Sequence, residues 1–232
     1  MSLKDIKISV PEYADIVPSL KKPVKLTPFR VGDEKTLLIA SGSNDTLEMA
    51  NAMKQVIGNC VKGAKVEDMT SYDLEYLFLK LRAKSVGEIS TVGLACEECS
   101  EYNQIDIELS TIEVVFNERH SETIKIEDTL AFKMRYPEPE DIVGLNLEDP
   151  NSVLEAMLRC IKEVYTQEEQ ITITPSDYDD LRALVSSMTS VQFEKIKAFF
   201  DTMPKVSKKV EFTCGSCGHE NKTVLEGIAN FF

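Results

Sequence analysis

Two cysteine pairs of identical spacing, Cys96-Glu97-Glu98-Cys99 and Cys214-Gly215-Ser216-Cys217, constrain this chain more than any other feature. Two residues between the cysteines let both sulfurs point at one ion across a tight turn, whose amides donate to the thiolates. Gly215 and Gly218 suit such a turn, which needs at least one positive φ angle. Each pair lies between two segments that read as strands, the hairpin arrangement of a zinc knuckle. Two knuckles supply four thiolates, the donor set of tetrahedral structural zinc. Between Cys99 and Cys214 lie 114 residues, against roughly 15 to 20 in a compact ribbon. A shared ion would therefore clip the C-terminal segment onto the middle of the chain.

The expectation is one structural Zn2+ on Cys96, Cys99, Cys214 and Cys217. An iron–sulfur cluster and metal-free thiols are the alternatives. A redox pair is disfavoured, because neither pair opens a helix after a strand. Catalytic zinc is disfavoured too, because four thiolates leave no open position for water. Cys60 and Cys160 fall on apolar helical faces and read as small core residues.

Charge narrows the partners. The 232 residues carry 26 Lys and Arg against 39 Asp and Glu, a net charge of −13. Such a chain repels phosphate backbones, so no nucleic-acid partner is expected, while basic protein surfaces remain open to it. No run reaches the roughly 20 apolar residues of a membrane span, and no membrane partner is expected. Met1-Ser2-Leu3-Lys4-Asp5 lacks the apolar stretch of a signal peptide. A reducing cytosol is the expected compartment, where cysteines serve as thiols or ligands.

Along the chain, Pro11, Pro18, Pro23 and Pro28 punctuate a basic stretch with Lys21, Lys22, Lys25 and Arg30. Residues 1–32 thus read as an extended arm, wrapped on its own domain or docked on a neighbour. Residues 33–88 read as a helical segment. Leu47, Ala50, Met53, Val56, Ile57 and Cys60 fall at helical spacing, as do Leu74, Leu77, Phe78 and Leu81 behind a Thr70/Asp73 capping pair. Residues 89–136 read as a small antiparallel sheet carrying the first knuckle. Residues 137–204 read as helical again: one helix from Asp149-Pro150 to about Tyr165, one after Thr174-Pro175, and one capped by Thr189 and Gln192. Residues 205–232 carry the second knuckle. The expected fold is α+β, a mainly helical body with a small antiparallel sheet and a split zinc ribbon.

No catalytic constellation stands out, so no enzyme is expected. His120 sits in a polar turn and reads as a surface histidine; His219 follows the second knuckle and reads as solvent-exposed. The acidic clusters around Glu138, Glu168 and Asp177 lie at helix starts or turns and read as solvated. None of the common phosphate-binding or hydrolase motifs occurs.

Several segments together resemble a known family. They are TPFRVGDEKTLL from Thr27, DLEYLFLKLRAKSVGE from Asp73, Cys96-x-x-Cys99, KIKAFFDTMP from Lys195, and Cys214-x-x-Cys217-Gly218 with the terminal Asn230-Phe231-Phe232. In order and combination they resemble the T4-type bacteriophage baseplate proteins, which include a hub subunit or hub-assembly factor of contractile-tailed phages. The resemblance runs from about residue 24 to the end. It implies a non-enzymatic virion or morphogenesis protein, made late in infection in the host cytoplasm, that either stays in the tail baseplate of the virion or leaves after assembly. Its implied partners are other baseplate hub or tail proteins, the tape-measure protein among them. A homo-oligomer is a further expectation from the charge, the basic arm of one copy meeting the acidic body of another. The alternative is a zinc-ribbon adaptor regulating a machine such as transcription.

Overall fold

The computed structural model describes residues 8–43, 45–146 and 148–231. In chain order, the first half holds β1 (Tyr13–Val17), β2 (Lys22–Leu26), α1 (Val31–Ser43), α2 (Thr46–Cys60), β3 (Val61–Lys62), α3 (Ser71–Ser85), β4 (Ile89–Ala95), β5 (Tyr102–Glu108) and β6 (Glu113–Val115). Then come β7 (Thr123–Glu127), β8 (Leu130–Met134), α4 (Pro150–Arg159), β9 (Ile161–Tyr165), β10 (Gln170–Thr172), α5 (Tyr178–Ser186), α6 (Ser190–Thr202), β11 (Lys205–Thr213) and β12 (Glu220–Glu226). They form two compact units, Met1–Val115 with Lys205–Phe232, and Phe116–Pro204.

The first unit is organised around α3. Thr70 and Asp73 cap it reciprocally, as the sequence predicts. Leu77 and Leu81 lie one turn apart on one face and enter a core with Val17, Val24, Leu26, Val56 and Ile57. Leu79 and Ala83 lie on the opposite face and enter a second core with Val92, Ile107, Val206, Val210, Leu225 and Phe231. A helix buried on two sides loses the single apolar stripe of a surface helix. That explains why the sequence pattern reveals only the first face.

The described part of the proline-punctuated stretch is a β-hairpin wrapped on its own unit, the first of the two expected arrangements; residues 1–7 of the expected arm lie outside the described residues. Strand β1 pairs with β2, and β2 pairs with β3. Val17, Val24 and Leu26 are buried against the same unit, which holds the hairpin down. Around the second core of the unit, β4 pairs with β5, while β12, β11 and β6 form a separate sheet. Phe231 is fully buried, and its carbonyl accepts the Ser90 hydroxyl at 2.6 Å.

The second unit has a four-stranded antiparallel sheet of order β10-β9-β8-β7. Phe132, Met134, Leu158, Ile161, Val164, Leu181, Ile196 and Phe199 form its core. The helix expected to reach Tyr165 ends at Arg159. There the Arg135 guanidinium takes the Arg159 carbonyl at 2.9 Å and the buried Asp141 carboxylate through two hydrogen bonds. An orphan carbonyl at the helix end is thus satisfied, and the β-branched Ile161 and Val164 pair into the sheet instead. Asp141 is therefore a buried partner rather than a solvated charge.

The expected architecture needs correction. The body is not mainly helical with one small sheet: the described residues hold twelve strands in four antiparallel sheets. Residues 89–136 do not form one sheet, since β4–β5, β6 and β7–β8 go to three different ones. Nor is a split zinc ribbon shown: among the described residues the two cysteine hairpins belong to separate sheets with no strand pairing between them, although their four cysteines lie close together. The physical reason is that antiparallel partners are chosen by tertiary packing, which local alternation of apolar residues does not encode.

Candidate metal centre

The four cysteines stand at the turns of two of the hairpins of the first unit. Hairpin β4–β5 carries Cys96 and Cys99; hairpin β11–β12 carries Cys214 and Cys217. The turns follow the same plan. Cys96 N–H donates to the Glu101 carbonyl at 2.9 Å, and Cys214 N–H to the His219 carbonyl at 2.8 Å. Ser100 N–H returns to the Cys96 carbonyl, and Gly218 N–H to the Cys214 carbonyl. The returning residue is left-handed in both, with φ of 59° at Ser100 and 75° at Gly218. Gly218 thus fills the role the sequence assigns it; in the first turn Ser100 does so at a steric cost.

All four sulfurs lie within 4.8 Å of one another. Cys96 Sγ stands 3.7 Å from Cys217 Sγ, and Cys99 Sγ stands 3.7 Å from Cys214 Sγ. A tetrahedron with metal–sulfur bonds of about 2.3 Å has sulfur–sulfur edges of about 3.8 Å. The two contacts match that edge and far exceed the roughly 2.05 Å of a disulfide. The site could hold a metal ion. Cys96 and Cys214 are buried, while Cys99 and Cys217 reach the surface.

Hydrogen bonds sort the thiols. The N–H groups of Cys99 and Glu98, with the Asn221 amide, hold Cys96 below the usual thiol range. The N–H groups of Cys217 and Ser216, with the Asn103 amide, bring Cys214 down to about 6. Cys99 receives the Glu101 N–H, yet the Cys217 sulfur, burial and the other two sulfurs push it up to about 12. Cys217 receives the His219 N–H and is also raised, by burial and the sulfurs of Cys214 and Cys96. Each close contact therefore joins a cysteine whose thiol is held low to one whose thiol is pushed up. Metal binding would take the sulfurs as thiolates and release their protons.

Sequence reasoning passed over Asn103 and Asn221. The amide of Asn103 donates to Cys214 Sγ at 3.6 Å, and its oxygen accepts Gly215 N–H at 2.9 Å. The amide of Asn221 donates to Cys96 Sγ at 3.6 Å, and its oxygen accepts Glu97 N–H at 2.9 Å. A signal was present: both asparagines stand four residues after the second cysteine, in a repeated C-x-x-C-x-x-x-N.

The remaining candidates lie elsewhere. Cys60 and Cys160 are buried core residues whose thiols burial raises to about 12, with Asp33 and Asp141 adding to the effect. His120 is not a free surface histidine. It hydrogen-bonds Thr202 Oγ1 and Tyr136 Oη at 3.1 Å each, and its ring packs on Tyr136 and Phe199. His219 is half-buried and meets the centre through its backbone.

No curated protein and no solved structure matches the chain. The family model described as T4 bacteriophage base plate protein matches residues 10–232. The match spans both compact units and both cysteine hairpins. The chain therefore belongs to the T4 bacteriophage base plate protein family, whose place is the phage tail.

Proposed function

We propose that this baseplate protein is a non-enzymatic structural or assembly component of the tail hub, and that its four cysteines hold one structural Zn2+. The family match across residues 10–232 carries the first part. The sulfur spacing supports the second, since four soft thiolates at tetrahedral edges suit zinc and complete its coordination. A filled coordination sphere leaves the ion a tie between two distant segments rather than a Lewis acid. The partners in this reading are other hub or tail proteins, the tape-measure protein among them. Assembly would take place in the host cytoplasm.

Co-purification with hub and tape-measure proteins of the same phage tests the role. A stable complex with at least one is expected; association with none of them would overturn it. Metal analysis of protein expressed in reducing cytosol should find about one zinc per chain.

A further inference from the structure

The two cysteine hairpins correspond position by position. Val92, Cys96, Cys99, Asn103 and Ile107 of the first match Val210, Cys214, Cys217, Asn221 and Leu225 of the second. The strand registers correspond as well: Val92 faces Ile105 and Ala95 faces Tyr102, as Val210 faces Thr223 and Thr213 faces Glu220. Two segments more than a hundred residues apart thus present the same turn to each other.

The asparagines complete this correspondence. Each amide nitrogen donates once within its own hairpin, Asn103 to the Glu101 carbonyl and Asn221 to the His219 carbonyl, at 3.0 Å each. Each donates again to the first cysteine of the opposite hairpin. Each side-chain oxygen takes the N–H of the residue after that cysteine. Every polar atom of the two carboxamides is therefore engaged. Aspartate would keep the oxygen contact but would lose the donor and set a negative charge against a thiolate.

We propose that Asn103 and Asn221 are a reciprocal pair of positioning residues that lock the two knuckles together and tune the thiolates of Cys214 and Cys96 for a bound ion. This rests on the metal reading of the four cysteines. The lock works in two ways. Cross-hairpin hydrogen bonds hold the sulfurs at tetrahedral separation, which lowers the ordering cost of binding. The N–H···S bonds drain charge from two of four thiolates that would otherwise repel one another at close range.

The test compares the full chain with Asn103→Asp and Asn221→Asp, using zinc competition and the spectrum of the cobalt-substituted protein. Zinc affinity should fall about 10- to 100-fold in each variant. The sulfur-to-cobalt charge-transfer band should move to lower energy, since a thiolate with fewer donors gives up electrons more readily. A purely structural role would leave that band unmoved. A second measurement needs no variant. In nitrogen-labelled protein loaded with a spin-active cadmium isotope, the side-chain amide protons of Asn103 and Asn221 should couple to the metal through the sulfurs. Unchanged affinity and spectrum in both variants, or absent coupling, would overturn the proposal while the metal reading stands. A wild-type chain that takes up neither zinc nor cobalt would instead overturn the metal reading.

Discussion

The backbone N–H of Ser19 donates to the fully buried carboxylate of Asp73 across 2.9 Å, fastening the β1–β2 turn to the first turn of α3. The same carboxylate accepts the Ser19 hydroxyl, the Thr70 N–H and the Thr70 hydroxyl. One side chain thus caps a helix and anchors a hairpin. Asp73→Ala leaves these donors without their acceptor, and a loss of about 3 kcal/mol is expected in urea denaturation. Ser19→Ala should cost less, about 1 kcal/mol, because it removes one hydroxyl and keeps the N–H contact. Near-equal losses in the two variants would contradict the dual role.

Cys214→Ser removes a buried sulfur in contact with Cys99 and Asn103. Zinc content is expected to drop from about one per chain to near zero, with the melting temperature falling by about 10 °C. Cys160→Ser, in the core of the second unit, should keep the metal whatever it does to stability. Equal zinc content in both variants and wild type would count against the centre.

The two turns offer an internal comparison. Gly218 and Ser100 occupy the same left-handed position. Gly218→Ala should cost about 1 kcal/mol, whereas Ser100→Gly should be neutral or stabilising by up to about 1 kcal/mol. Chemical denaturation of the metal-loaded protein checks the pair, and a destabilising Ser100→Gly would go against the backbone account.

Burial among Tyr136 and Phe199 holds the His120 imidazole below the usual histidine value of about 6.5, with Glu122 pulling weakly the other way. The folded chain therefore binds this proton less readily than the unfolded chain. The resulting stability is fully present above about pH 6.5 and is lost as pH falls through the depressed folded value. Melting temperature should fall with pH between about 7 and 5, and His120→Gln should flatten that slope. An unaltered slope in the variant would assign the dependence to other groups.

Much of the local structure is written in the sequence. Thr70 with Asp73, Asp149 with Pro150, and Thr189 with Gln192 mark helix starts where the helices do start. These signals are legible because a cap is satisfied by residues within one turn of it. The turns around Cys96 and Cys214 are legible for the same reason, and their identical spacing already pairs them as one donor set.

What tertiary structure alone decided is which segments meet. Ile161 and Val164 continue a helical stripe in sequence, but pairing with β8 and the Arg135–Asp141 pair at the helix end make them a strand. Leu79 and Ala83 read as the back of a helix until a second core covers them. Asn103 and Asn221 are ordinary strand residues until each is set against the other hairpin's cysteine. Sequence determined the groups that could hold a metal, because knuckle geometry is local. Only the fold brought the two knuckles and their asparagines together, because that contact depends on packing between segments far apart in the chain.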